Sequence, residues 1–441
     1  MKNLKTSIIF KVAIIFIIAL LLLIPTTMVQ DLIRERENIQ ISAISEVSEK
    51  WGENQTITGP YISVPYDKYV KQFSSKDSVE KIVKLKKWLH FLPHNLTISG
   101  DISPERRYRG IYEIVVYESK INISGVFNSF DIDKYDIDLK HIDFDKATFN
   151  IGITDLKGIE KQVELDWNKN KIFFNPGTST KDLVSSGINC PVNISKYDSV
   201  IYNFSLDVSL KGSQFLYFVP VGKTTNVNIK SNWTNPSFGG EFLPDTREIN
   251  NEGFQSFWNI LHLNRNYPQS WSENEHLVAY SAFGVNLLLP VDRYQKSMRV
   301  VKYAILFLAF TFLVFFFIEV MNKVFIHPIQ YILVGIAIVV FYTLLLAISE
   351  HLAFNISYLI SAILTLILVT GYVLAILKSK KISFLILGIL SILYGFIFTI
   401  IQLQDYALLI GSIGIFIILA IVMYYSRRID WYSIKLGEKE E

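Results

Sequence analysis

The chain has 441 residues, 50% of them hydrophobic, a mean hydropathy of +0.31 and a formal net charge of +3. That length exceeds one ordinary domain, and the hydropathy lies above soluble averages without reaching that of an all-membrane protein, which predicts a soluble body combined with membrane spans. The small net charge argues against a nucleic-acid surface and against a strongly basic membrane-binding face. The single cysteine, Cys190, excludes an intrachain disulfide, a cysteine-rich metal site and C-x-x-C redox chemistry. It reads as a small buried hydrophobe rather than a nucleophile.

In chain order, Ile8 to Met28 is apolar apart from Lys11 and is preceded by Lys2 and Lys5. With no small-residue cleavage site after it, the stretch reads as an uncleaved signal anchor whose positive flank keeps the N-terminus in the cytoplasm. Ile33, Ile41, Ile44, Val47 and Trp51 then fall near three-to-four spacing, which predicts an amphipathic stalk helix stopped by Gly52 and a Gly59-Pro60 turn.

From Pro60 to about Leu289 the period changes to two. Runs such as GIYEIVVYES, ATFNIGITDL, YNFSLDVSL and TNVNIKSNW are β-branched and aromatic, with Gly, Pro, Asn and Asp between them, and predict an all-β sandwich or a pair of sandwiches. Val79 to Leu92 fits a helix or a strand. SFGGEFLP and QSFWNILHLNRNYPQSW read as loops covering the sandwich. In FDIDKYDIDLKHIDFDKATF, the residues Asp131, Asp133, Asp136, Asp138, Asp143 and Asp145 are expected on solvated strand faces or loops, because the spacing of a calcium loop is missing.

Pro290 to Val320 carries Arg293, Lys296, Arg299 and Lys302 and passes directly into an apolar run. It predicts one helix that leaves a polar domain and enters hydrocarbon. Four more spans follow, at about 329–348, 354–377, 382–401 and 406–425. Alternation from a cytoplasmic N-terminus places Lys323, Lys378, Lys380, Lys381, Arg427 and Arg428 inside, while the two short outside loops hold no Lys or Arg. The expected organisation is α + β: a signal anchor (1–29), a periplasmic β-rich domain with a stalk helix (30–299), a five-span bundle (300–425) and a cytoplasmic tail (426–441). The spans total six, with both termini cytoplasmic.

The strings IPTTMVQDLIRER, TGPYISVPY, RYRGIYEIVVYES, SNWTNPSFGGEFLP, FGVNLLLPVDRYQK and RYQKSMRVVKYAILFLAFTFLVFFFIEV, with HPIQYILVGIAIVVFYTLLLAISEHLAFNISYLI after them, closely resemble the bacterial inner-membrane CreD family of cell envelope integrity proteins. They extend from residue 24 to about residue 370; the last two spans match only in hydrophobicity. The resemblance implies an inner-membrane protein with a periplasmic domain, linked to envelope integrity and to a sensor-kinase regulon. It carries over no catalytic residues.

Ionisable groups near spans are expensive and often functional. Glu350 and His351 are expected at the outer end of the third span, near Arg299 and Lys302 in depth, with Glu350 pairing one of these cations. Glu319 and His327 belong to the other side, so the two Glu/His pairs form no common metal site. His327-Pro328 reads as a span entry. Arg293, Arg299, Lys302, Glu350 and His351 are thus the candidate junction. Trp233, Phe238 and Phe242 form either an exposed aromatic lip or part of the core. No phosphate loop, dinucleotide fingerprint or intramembrane-protease signature occurs. The expected function is a non-enzymatic envelope-integrity protein without cofactors, whose partners are membrane lipids and an envelope protein. The alternatives are a transporter or lipid-handling protein, and an enzyme with its site around Glu350 and His351.

Overall fold

The computed structural model describes residues 8–73, 80–128, 130, 132–135, 137–195, 200–287, 293–322, 324–403 and 406–427. The chain divides into two units, Met1–Ile41 with Val291–Glu441, and Ser42–Pro290.

The first unit is helical. Helix α1 (Ile8–Trp51) begins in it and contains Pro25, which removes one backbone donor. Around that proline the hydroxyls of Thr26 and Thr27 donate to the carbonyls of Leu23 (2.6 Å) and Ile24 (2.7 Å). The others are α2 (Arg293–Lys302), α3 (Ala304–Met321), α4 (Pro328–Ser349), α5 (Phe354–Leu377), α6 (Lys380–Gln402) and α7 (Ala407–Ser426). Six helices among the described residues, all but α2, are long and apolar enough to cross a membrane.

The stretch expected to be one helix is two, and the correction has a physical cause. α2 is amphipathic, burying Tyr294, Ser297, Val300 and Val301 and exposing Arg299 and Lys302, whereas α3 is apolar all round. The chain breaks between them at Tyr303, whose N–H donates to the Val300 carbonyl (3.1 Å) while Leu306 N–H donates to the Tyr303 carbonyl (3.0 Å). This tight i→i−3 pairing interrupts the regular helical ladder between the two segments. Farther on, Gly335 of α4 lies where a Cβ would run into Leu22 of α1 and crowd Phe312 of α3, so the three helices meet at a residue without a side chain. Helix α7 buries none of its residues.

The second unit consists of two sheets around one core. In the nine-stranded sheet, Gln55–Phe73 is the hub: its start pairs in parallel with Phe215–Val219, its middle antiparallel with Thr148–Ile153, and its remainder forms a hairpin with Glu80–Phe91. The eight-stranded sheet runs Thr246–Asn250, Gly253–Leu261, Thr224–Ser231, Asn95–Arg109, Tyr112–Phe127, Tyr202–Ser213, Glu164–Trp167 and Asn170–Phe173. Ile62, Phe149 and Phe218 of the first sheet and Ile98, Ile123 and Val227 of the second belong to one apolar cluster. Alternation follows from this packing, since successive side chains of Asn95–Asp101 point to water and core in turn.

Four expectations change here. Glu80–Phe91, left open between helix and strand, is a strand. Pro236–Gly240 and Gly253–Leu261, read as covering loops, are strands as well. In Gly253–Leu261 burial alternates, placing Phe254, Ser256, Trp258 and Ile260 in the core, so Trp258 retains 1% of its surface, and Trp233 is buried too; Pro236–Gly240 is half-buried without alternation. Gly59-Pro60 is no turn: it lies within the hub strand, joined by a cis peptide, where the pairing with Thr148–Ile153 shifts between Thr58 and Tyr61. Helix α1 ends before Gly52, as expected, where a φ of +154° and a close approach to the Lys211 carbonyl suit only glycine. The Asp-rich segment forms three short 3-10 turns, with Asp138 accepting from Lys140 N–H (3.0 Å) and Asp143 paired with Lys146. Asp131, Asp136 and the Asp133 side chain lie outside the described residues. Cys190 is fully buried in strand Gly187–Pro191, and burial pushes its thiol up to about 12.

Candidate functional site

The helical unit holds two polar clusters. At the first, Arg293 opens α2 and donates through Nη1 to the carbonyls of Ser349 (3.1 Å) and Glu350 (2.8 Å), the free acceptors at the C-terminal end of α4. A cation there satisfies orphan carbonyls and meets the negative end of the helix dipole. The Glu350 carboxylate accepts from the Tyr294 hydroxyl (3.3 Å) and pairs with Arg36 of α1 (3.7 Å). The expected pairing with Arg299 or Lys302 does not occur. At 1.5 Å per residue these cations lie about 9 Å and about 14 Å along α2 from Arg293, and both are exposed. His351 is exposed as well, and its backbone N–H donates to the Ile348 carbonyl (3.0 Å). Of the five candidate residues, the fold therefore joins Arg293 and Glu350, adds Arg36 and Tyr294, and leaves Arg299, Lys302 and His351 at the surface.

The second cluster was not anticipated. Lys11 of α1, expected only as part of a positive flank, is buried and forms an ion pair with Glu319 of α3, which has no exposed surface. The Glu319 carboxylate also accepts from the Tyr331 hydroxyl (2.9 Å) and from Ile326 N–H (3.1 Å). Lys11 Nζ donates to the Ile326 carbonyl and sits 4.2 Å from the Phe325 ring centroid. A buried charge is tolerable when it is paired and its remaining lone pairs and protons are satisfied, and here both conditions hold. His327 caps α4 as expected, accepting from Ile329 N–H at Nδ1 (3.3 Å), with Pro328 in the first turn.

The β unit contains a third arrangement. Ser63 of the hub strand faces His90 across the hairpin, with Oγ 3.0 Å from Nδ1, and His90 Nε2 lies 3.1 Å from Asp182 Oδ2. The carboxylate can only accept, so Nε2 carries the proton toward it. This bond holds the Asp182 carboxyl below its ordinary value. Serine, histidine and aspartate in a row invite comparison with a hydrolase triad. Here the serine meets Nδ1 rather than Nε2, and both Ser63 and His90 have no exposed surface. Asn150 Nδ2 donates to Ser63 Oγ (3.4 Å), and the Tyr61 and Trp271 rings flank the imidazole. Chemically this is a polar lock, buried at Ser63 and His90 and partly exposed at Asp182, that pins the segment around Asp182 to the sheet.

These clusters belong to a chain whose sequence is matched by the family model described as "Inner membrane protein CreD" over residues 7–432. The protein called inner membrane protein CreD in Escherichia coli (strain K12) is 31% identical over 438 residues, covering 98% of this chain and 96% of that protein. The chain belongs to the CreD family. Its membership and its six apolar helices make it a multi-pass membrane protein of that family. Among solved structures, an M1 zinc metallopeptidase from Deinococcus radiodurans matches at a TM-score of 0.19 and 8% identity, covering 39% of this chain and 38% of its own. Leukotriene A4 hydrolase from Saccharomyces cerevisiae matches at 0.17 and 12%, covering 42% of this chain and 29% of its own. Likeness at that level carries no fold or function to this CreD-family chain.

Proposed function

We propose that this CreD-family protein is a non-enzymatic envelope-integrity component of the inner membrane, with the β unit in the periplasm and both chain ends in the cytoplasm. The observation that carries the reading is how the charged groups of the two helical clusters are engaged. Lys11, Glu319 and Tyr331 bond one another, as do Arg293, Tyr294, Glu350 and Arg36, and each set ties helices together rather than presenting a reactive group. The orientation is supported by charge: Lys378, Lys380 and Lys381 flank the α5–α6 connection, while the α4–α5 and α6–α7 connections contain no Lys or Arg.

Deletion of the gene is expected to sensitise cells to envelope stress such as detergent or lysozyme, and the full chain is expected to restore resistance. Equal survival with and without the protein would refute the reading. A cytoplasm-active reporter fused near residue 180 should be silent; a bright signal there would reverse the topology.

One observation favours transport or lipid handling as a second reading. The hydroxyls of Thr311, Tyr342 and Ser361 are buried in the helical unit without partners, and polar groups inside spans are costly and often functional. Solute flux or lipid exchange in proteoliposomes, abolished when all three hydroxyls are removed, would support it.

A further inference from the structure

The hairpin of Gln55–Phe73 with Glu80–Phe91 changes character along its length. Up to Tyr66 and from Leu89 onward its apolar side chains are buried in the core. Beyond that the two strands stay paired, with Lys68 opposite Leu85, Tyr69 opposite Lys84, Val70 opposite Val83 and Lys71 opposite Ile82. Side chains on both faces are now in water: Tyr69 is 52% exposed, Ile82 69%, Leu85 40% and Val70 38%. A two-stranded ribbon with both faces solvated is marginal alone, and exposed apolar residues on it mark a surface that something covers.

The charge pattern indicates what covers it. Lys68, Lys84 and Lys86 are exposed, and in three of the four cross-strand pairs above a lysine faces an apolar residue. The acidic groups lie toward the base, where Asp67 holds Lys84 (2.8 Å) and Glu273 holds Lys87 (2.5 Å) and reaches Lys68 (3.9 Å), while the Lys86 ammonium lies 5.5 Å from the Trp88 ring centroid with no carboxylate partner among the described residues. Lysine stems lie along apolar surface while their ammonium heads reach phosphates, and interleaved aliphatic and tyrosine side chains enter the headgroup layer. The chain-wide charge of +3 averages this cluster away.

We propose that this ribbon docks on an anionic phospholipid surface. Lys84 and Lys86 supply attraction to phosphate, and Tyr69 and Ile82, on the same face of the ribbon, supply shallow insertion. The proposal concerns the β unit alone and stands or falls independently of the envelope-integrity reading, because its test measures lipid binding and not cell survival.

The test uses the full chain in nanodiscs of phosphatidylcholine, floated with vesicles of phosphatidylcholine alone or containing roughly one-third phosphatidylglycerol. Partition onto the anionic vesicles should be about tenfold higher, and should collapse when salt rises from about 0.1 M to about 1 M and the screening length falls from ~10 Å to ~3 Å. The K84E/K86E variant should lose the anionic preference; Y69S/I82S should bind less at both salts. Thermal melts matching the unsubstituted protein keep these comparisons valid, and the salt response of the unsubstituted protein answers the question without any variant. Equal partition onto both vesicles overturns the proposal, as does an anionic preference that survives lysine reversal in a folded variant. Capture by a soluble polyanion with no vesicle binding also overturns it, and assigns the ribbon to an anionic polymer.

Discussion

Lys11 Nζ and Glu319 Oε1 form an ion pair in the helical unit between residues 308 apart in sequence, with side-chain exposures of 8% and 0%. Removing one partner leaves the other buried without its counter-charge, which costs about 3–5 kcal/mol. Lys11→Ala and Glu319→Ala are each expected to lower abundance and the melting temperature in detergent sharply. The double variant Lys11→Met with Glu319→Leu should be more stable than either single change, because an apolar pair needs no counter-ion. Thermal unfolding of the four purified proteins checks the order.

At the other cluster the expected effects are smaller. Arg36 is 42% exposed and Glu350 11%, so solvent screens their pairing. Arg293→Ala, which frees two carbonyls at the end of α4, is expected to destabilise by about 1–2 kcal/mol. Arg299→Ala and Lys302→Ala should stay within about 0.5 kcal/mol of the unsubstituted protein. Loss of function from either at normal abundance would show that these cations act in something other than folding.

The lock in the β unit predicts a pH dependence with a definite sign. Because the His90 hydrogen bond lowers Asp182 from its ordinary 3.8, Asp182 stabilises the fold above that value, and the contribution is lost as pH falls through its depressed folded value. Melting temperature between neutral and strongly acidic pH should therefore fall less steeply in Asp182→Asn than in the unsubstituted protein, with the two converging at the acid end. Ser63→Ala is expected to cost about 1–3 kcal/mol by leaving buried groups unpaired. A Ser63→Ala protein of unchanged stability that has lost its cellular function would point instead to a nucleophile.

Gly335→Val tests the packing of α1 on α4. The added side chain meets Leu22 and Phe312, which are themselves buried, so overpacking is expected to destabilise by about 1–3 kcal/mol. Leu22→Ala in the same chain should recover part of the loss, and a disulfide-trapping yield between α1 and α4 would read it out in membranes.

The spans were legible because runs such as Tyr303 to Ile318 are uniformly apolar, and most strands because alternation places every second residue in the core. The break at Tyr303 is hidden, since hydropathy registers no interruption of the helical ladder; the sharper clue is that the cations of α2 leave one face apolar while α3 has no polar face. Lys11 and Glu319 each stand alone among apolar neighbours, and a lone charge inside a span requires a counter-charge. That signal identifies both residues without matching them. Nothing local marks Ser63, His90 and Asp182, because their meeting depends on the register of one hairpin and the path of a loop from elsewhere in the chain. In the strand Gly253–Leu261 the dense aromatic residues mask the alternation, although Phe254, Ser256, Trp258 and Ile260 keep a period of two.

The hub strand has a consequence for biogenesis. Gln55 pairs in parallel with Leu216, and in the facing sheet Asn95 pairs in parallel with Thr224, so each layer joins early chain to late chain. A ribosome delivers Gln55 long before Leu216. The hub must wait with one edge open, and a nascent chain truncated before Val219 should remain protease-sensitive until the missing strand is synthesised.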